Sequence, residues 1–427
     1  MAAVREKNAA RSQLSAAGFR LAATARSSHR PLRPMPRLHL VPPLVAGLLS
    51  PLSAAPKLDG VGAAMQAAIE TREIAGAITI VATKDKILHL ESTGFADVAA
   101  RKPIAPDMMA WIASMTKPIT GVALLLLQDE GKLHVSDPVA KYLPEFAKLR
   151  TPAGVPANLT IAQIMTHTSG LGEGDPEAVL GAKTLSDLIP LFLAADMQYE
   201  PGTRWSYCQS GINTGARIVE VVSGLGFDVF LQKRIFEPLG MKDTTFYLTA
   251  AHRARLLTPY SKNPATEALE VAPPRAGYGE AGRAPRGSGG LFSTALDYTR
   301  FCQMLLGGGT LEGTRLLSAR AMEFLTTPQT GELPCGFFQP KYGANYGWGI
   351  GTCILRQPHE GVAAMLSPGT YGHGGAWGTQ AWIDPMKGVA YIMIVQRANF
   401  SNNDGSEVRR AFQVAAEAAL TTKRVGI

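Results

Sequence analysis

Cysteine is scarce in this chain, with four in 427 residues. Cys208, Cys302, Cys335 and Cys353 form no C-x-x-C pair and sit in no histidine cluster, so a zinc site has little support and no metal is expected. Four cysteines also do not make a disulfide scaffold in a chain of this size. Cys302 falls in an apolar helical pattern and reads as core, and a Cys335–Cys353 bridge stays open if the protein is exported. Beyond residue 56 no stretch reaches the ~18 uninterrupted apolar residues of a membrane span. No internal repeat is present. No serine stands in G-x-S-x-G, which removes the nucleophile elbow of the common esterase fold.

The body also lacks net charge. Of the formal +8, residues 1–56 carry +7, from eight basic residues and one acid. The remaining 371 residues are near neutral, at +1, which argues against a nucleic-acid partner. The basic, Ser- and Ala-rich start is followed by an apolar run, Leu38 to Leu52, and by the small residues Ser53, Ala54 and Ala55. That order is expected of an export signal and of a periplasmic or secreted protein, with a cytoplasmic location as the alternative. The long basic region and Pro42, Pro43 and Pro51 depart from an ordinary signal, and a start at Met35 would shorten it.

From Lys57 a helical pattern leads into two β-rich runs, Ala77 to Ala82 and Lys86 to Ser92, separated by Thr83-Lys84-Asp85. A long apolar helix is expected from Ser114 to Glu130, closed by Gly131. Helical signals follow at Ile161 to Met165, Leu185 to Ala195, Gly215 to Val222 and Val229 to Phe236. A Pro- and Gly-rich region, about 258–290, precedes a helix from Ala295 to Leu306. Strands are expected at Tyr346 to Ile354, Gly375 to Ile383 and Val389 to Val395, then a last helix from Glu407 to Leu420. Strands at both ends with helices between predict an α/β fold of α+β type: a sheet domain from 57–113 and 285–427, and an inserted all-α domain at 114–284. A site is expected in the crevice between them.

Ser114-Met115-Thr116-Lys117 is the sharpest local signal. At the start of a helix, positions i and i+3 share a face, so the lysine amine can stand beside the serine hydroxyl. Unpaired N–H groups and the positive end of the dipole there favour an oxyanion and a neutral lysine. Pro118 belongs in a first helical turn and independently puts Ser114 at the helix start. To act as a base near pH 7, a lysine must lose about 3.4 pH units of basicity, about 4.6 kcal/mol. Burial supplies that and solvent exposure does not. Alone, a four-residue pattern of this kind is weak, since an N-cap serine and a surface lysine give the same letters.

Five ordered elements make it specific. Ser114-Met115-Thr116-Lys117, Met165-Thr166-His167-Thr168-Ser169-Gly170-Leu171, Tyr207-Cys208-Gln209, Gly289-Gly290-Leu291-Phe292-Ser293 and His373-Gly374-Gly375-Ala376 together resemble the serine hydrolases of the class C β-lactamase and penicillin-binding-protein superfamily. The resemblance runs from about residue 60 to 420 and is strongest to family VIII carboxylesterases. It implies a β-lactamase-like fold, with an antiparallel sheet flanked by terminal helices. It further implies Ser114 as nucleophile, Lys117 as its base, Tyr207 as the group that relays the serine proton, and the backbone N–H groups of Ser114 and Ala376 as the oxyanion hole.

Two departures bear on substrate. Gln209 stands where the superfamily has asparagine, and reaches one methylene further. His373-Gly374-Gly375 stands in place of Lys-Thr-Gly or Lys-Ser-Gly, so the cation and hydroxyl that hold a substrate carboxylate are missing. Gln209, His373, Gly374 and Gly375 are expected to line the substrate site, with Trp377 as a wall or as core. His167 reads as part of a structural turn, and Tyr371 and Trp348 carry no assigned role. The expected activity is hydrolysis of short-chain carboxylic esters through an acyl-enzyme without a cofactor, with small molecules as partners and weak β-lactam hydrolysis alongside. A class C-like β-lactamase or D-Ala-type peptidase is the alternative within the fold. A non-catalytic penicillin-binding-type sensor is the alternative of another class. Oligomeric state is not legible.

Overall fold

The computed structural model describes residues 55–274, 276–337, 341–361, 363–400 and 405–425. The expected leader, apart from Ala55 and Pro56, lies outside them. An eight-stranded sheet runs in the order Tyr346–Trp348, Cys353–Leu355, Tyr371–Gly374, Gln380–Asp384, Val389–Ile394, Gly76–Ala82, Ile87–Asp97, Lys102–Pro103. Every neighbouring pair in it is antiparallel.

The central strands are covered on both faces, and the period-2 alternation of side chains shows how. Ile78, Ile80 and Ala82 point into one apolar cluster. Ala77 and Val81 point into the other, together with Tyr391 and Met393 of the adjacent strand. The terminal helices Val61–Glu70 and Glu407–Val425 pack on each other and contribute to that second cluster.

On the opposite side lies the helix Thr116–Asp129, in which every residue from Thr116 to Leu127 is buried. It packs against the helices Gln209–Ser223 and Ala319–Thr326. A helix apolar all round must be a central one, and the long run of aliphatic residues after Lys117 is the sequence cause. Gly131, at φ +69, takes the left-handed position past its end, which costs least for glycine.

The hairpin Gly76–Ala82/Ile87–Asp97 and the helices Ile161–Met165 and Ala295–Leu306 form where their sequence patterns place them. Three readings change. Tyr346 to Ile354 is not one strand but two, Tyr346–Trp348 and Cys353–Leu355, because Gly349 to Thr352 closes a turn through Gly349 N–H to Thr352 O with Gly351 at φ +83. In the segment expected as a strand from Gly375, pairing begins only at Gln380, while Tyr371–Gly374 is itself a strand paired on both sides. The 258–290 region contains two short strands, Tyr260–Lys262 and Leu269–Val271. None of the four cysteines is in a disulfide, and Cys335 and Cys353 are both buried as thiols in the second apolar cluster. Cys302 is core, as read.

Candidate active site

Strand Met109–Trp111 pairs with Phe292–Thr294 and delivers the chain to a tight 3-10 turn, Ala113–Met115, ahead of the buried helix. Ala113 has φ +48, a left-handed conformation unusual for a residue with a Cβ. Backbone held this way at the residue before Ser114 turns the serine outward. Ser114 is half-buried while Ala113 and Met115 are buried. Thr116 Oγ1 donates to Ala113 O at 2.7 Å and accepts from Leu291 N–H at 3.2 Å, tying this turn to the Gly289–Ser293 segment.

Lys117 is fully buried. Its Nζ donates to Ser114 Oγ at 3.2 Å, to Gln209 Oε1 at 2.8 Å and to Ser288 O at 2.6 Å. The Tyr207 ring lies over it, with the ring centre 4.5 Å from Nζ. Burial brings the Lys117 amine down to about 7, with the negative charge of Glu173 acting in the opposite direction. Ser288, which sequence patterns did not single out, contributes through its backbone carbonyl, and its own N–H donates to Asn213 Oδ1 at 3.1 Å.

Tyr207 sits in an aromatic cluster. Its ring centre is 4.6 Å from that of His167, 4.7 Å from Phe337, 5.9 Å from His373 and 6.5 Å from Trp348. Trp348, given no role from sequence, is completely buried and touches His167, Tyr207, His373 and Trp205, so it forms the wall behind the tyrosine. His167 holds the approach to Tyr207. Its carbonyl accepts from Ser206 N–H at 3.0 Å, and its Nδ1 accepts from Cys208 N–H at 3.1 Å. Burial keeps His167 neutral, far below its ordinary range. It acts as a turn residue, at φ +62.

A cleft of about 360 Å3 opens over Ser114, and Gln209, Ser288 and Ala376 line it with the serine. Gly375 explains how Ala376 reaches this position. A Cβ there would stand 2.6 Å from Ile112 O and 2.0 Å from Thr379 Oγ1, so only glycine lets the end of strand Tyr371–Gly374 close on the segment before Ser114. His373, 2% exposed, turns inward beside Tyr207 and Trp348. Its Nδ1–H donates to Gly374 O at 2.7 Å, and burial, with the neighbouring Lys117, lowers it to about 3. It carries no charge near neutral pH. Gly374 is paired with Gln380 in the sheet. Trp377 packs edge-on against Trp111, ring centres 4.8 Å apart, and Trp111 is a wall of the cleft. Glu173 and Arg286 also line the cleft, and neither was expected from sequence. Among the described residues there is no group of three or more His, Cys, Asp or Glu that could hold a metal ion.

The beta-lactamase family model matches residues 61–416. The chain belongs to the beta-lactamase family. Protein Rv1367c of Mycobacterium tuberculosis is 30% identical over 370 residues, covering 79% of this chain and 90% of the relative. Esterase EstB of Burkholderia gladioli is 29% identical over 385 residues, covering 82% and 92%. Among solved structures, EstCE1, described as a hydrolase with promiscuous acyltransferase activity, superposes with a TM-score of 0.70 at 23% identity, covering 84% of this chain and 97% of that one. These likenesses make the protein a serine hydrolase with a β-lactamase/penicillin-binding-protein fold. Among the described residues no helix is long and apolar enough to cross a membrane.

Proposed function

We propose that the protein hydrolyses short-chain carboxylic esters through an acyl-enzyme on Ser114, with Lys117 as the base and Tyr207 as the partner in proton relay. The observation that carries this reading is the set of contacts around Lys117. A neutral amine has two hydrogens and one lone pair. Gln209 Oε1 and Ser288 O are both acceptors without a hydrogen to give. They take the two N–H bonds, and the lone pair is left facing Ser114 Oγ–H.

On this account Ser114 gives its proton to Lys117 as its oxygen attacks the ester carbonyl. The carbonyl oxygen becomes an oxyanion, received by the backbone N–H groups of Ser114 and Ala376, each such donor being worth about 3 kcal/mol of barrier. Collapse of the intermediate expels the alcohol, which takes a proton by way of Lys117 and Tyr207. Water then attacks the acyl-enzyme, giving its proton to the same pair, and collapse of the second intermediate breaks the bond to Ser114 Oγ, which takes that proton back as the acid leaves. Gln209 holds Lys117 throughout. The division into a sheet domain (57–113 and 285–427) and a helical domain (114–284), with Ser114 and Tyr207 on the latter, belongs to this reading, as does export directed by residues 1–56.

Esters are favoured over β-lactams because His373 is neutral and turned inward and Gly374 has no hydroxyl, so neither anchors a substrate carboxylate. Losing such a charge-assisted contact costs about 1.5–3 kcal/mol, roughly ten- to a hundredfold in kcat/KM. The test is kcat/KM for p-nitrophenyl butyrate beside a chromogenic cephalosporin, with the ester expected ahead by at least tenfold. Preference for the cephalosporin would replace this reading with the β-lactamase alternative.

A further inference from the structure

The helix Gln209–Ser223 begins at the site and lacks a cap of its own. Its N-cap residue is Cys208, whose side chain makes no capping bond. The Cys208 thiol lies instead 3.5 Å from Leu171 O and 2.9 Å from Ser210 Oγ. The first N–H groups of a helix need acceptors, and Glu173 supplies them from 36 residues upstream. Its Oε1 accepts from Gln209 N–H at 2.5 Å and its Oε2 from Ser210 N–H at 3.0 Å. Gln209 is the residue whose side-chain oxygen holds Lys117. Glu173 also stands between two spaces, as a wall of the cleft over Ser114 and of a second cavity of about 310 Å3 that Tyr207 lines.

We infer that Glu173 is a positioning residue of the site, fixing Gln209, and through it Lys117, by a two-oxygen grip on the start of the helix. The inference rests on the proposed role of Lys117 and adds a second effect, that of charge. The groups facing Lys117 are Glu173, the Cys208 thiol, His167, His373 and the Tyr207 ring. Burial pushes the Cys208 thiol up to about 11 and keeps both histidines neutral. Near pH 7 the charged neighbour in this set is therefore Glu173, which stabilises the protonated amine. Neutralising Glu173 also exposes Lys117 to the positive end of the helix, which acts in the same direction.

The experiment compares Glu173→Gln and Glu173→Asp with the wild type, reading kcat, KM and the pH profile of kcat/KM for p-nitrophenyl butyrate, with circular dichroism as the check on folding. For Glu173→Gln the acid limb should move to lower pH by about half to one unit, since an opposite charge nearby favours the charged form and partial exposure reduces the effect. Its kcat at the plateau should fall about tenfold with KM within about twofold, because Lys117 acts in the chemical steps. Glu173→Asp keeps the charge and should keep the limb in place. An ordinary helix cap would lower stability in both variants and leave the limb unmoved. That result overturns the inference, as does loss of the folded protein in both variants. A wild-type profile with no acid limb near pH 7 contradicts the Lys117 reading itself and the inference with it, whereas a wild-type limb that stays put in Glu173→Gln contradicts only the role of Glu173.

Discussion

Lys117 Nζ lies 3.2 Å from Ser114 Oγ, and its other two hydrogen bonds end on oxygens that can only accept. The amine therefore serves Ser114 as a base only after losing a proton, and burial places that loss at about 7. With p-nitrophenyl butyrate, kcat/KM should rise tenfold per pH unit below that point and level off above it. The free-enzyme midpoint is expected near pH 7. A profile flat through this range would mean that another group deprotonates the serine.

Burying this amine also costs stability, with a definite pH dependence. The folded-state value, about 7, lies below the ordinary value of ~10.4. The unfolded chain thus binds the extra proton between the two, so wild-type stability rises with pH across that window. The penalty is fully present below about pH 7 and gone above about pH 10.4. Lys117→Met removes it, while leaving Gln209 Oε1 and Ser288 O without a donor, at about 1–3 kcal/mol each. The variant should be inactive, and its stability relative to wild type should be greatest at low pH and decline through that window. Chemical denaturation at about pH 6 and pH 9 measures the difference, and a difference independent of pH would show that Lys117 is protonated in the folded protein throughout.

The turn Gly349–Thr352 presses on the helix that carries Lys117. A Cβ at Gly121 would fall 2.1 Å from Ile350 O, and one at Gly351 would fall 2.5 Å from Lys117 O. Gly121→Ala should therefore destabilise despite the better helix propensity of alanine, by about 1–3 kcal/mol, the usual cost of overpacking. A lower denaturation midpoint is the expected result, and an unchanged or raised one would show that the turn yields freely.

What could be read from the sequence was local. Ser114 and Lys117 are three residues apart on a helix start, so their meeting follows from helix geometry, and the hairpin Gly76–Ala82/Ile87–Asp97 follows from its β-branched runs. Contacts made by backbone atoms or across long separations were not legible. Ser288 acts through its carbonyl, which any residue has. Glu173 reaches a helix that begins 36 residues later. Tyr371–Gly374 contains two glycines and little apolar alternation, and it is a strand because pairing on both sides outweighs weak propensity. Trp348 and His373 became part of one cluster only when the sheet brought them together.

The central claim is that the acyl group is carried by Ser114. Treating the protein with a fluorophosphonate, then digesting it and locating the added mass by tandem mass spectrometry, tests this directly. One equivalent of adduct is expected, on Ser114, with its formation abolished in Ser114→Ala while the circular dichroism spectrum is retained. An adduct on any other residue, or full ester turnover in Ser114→Ala, would contradict the account.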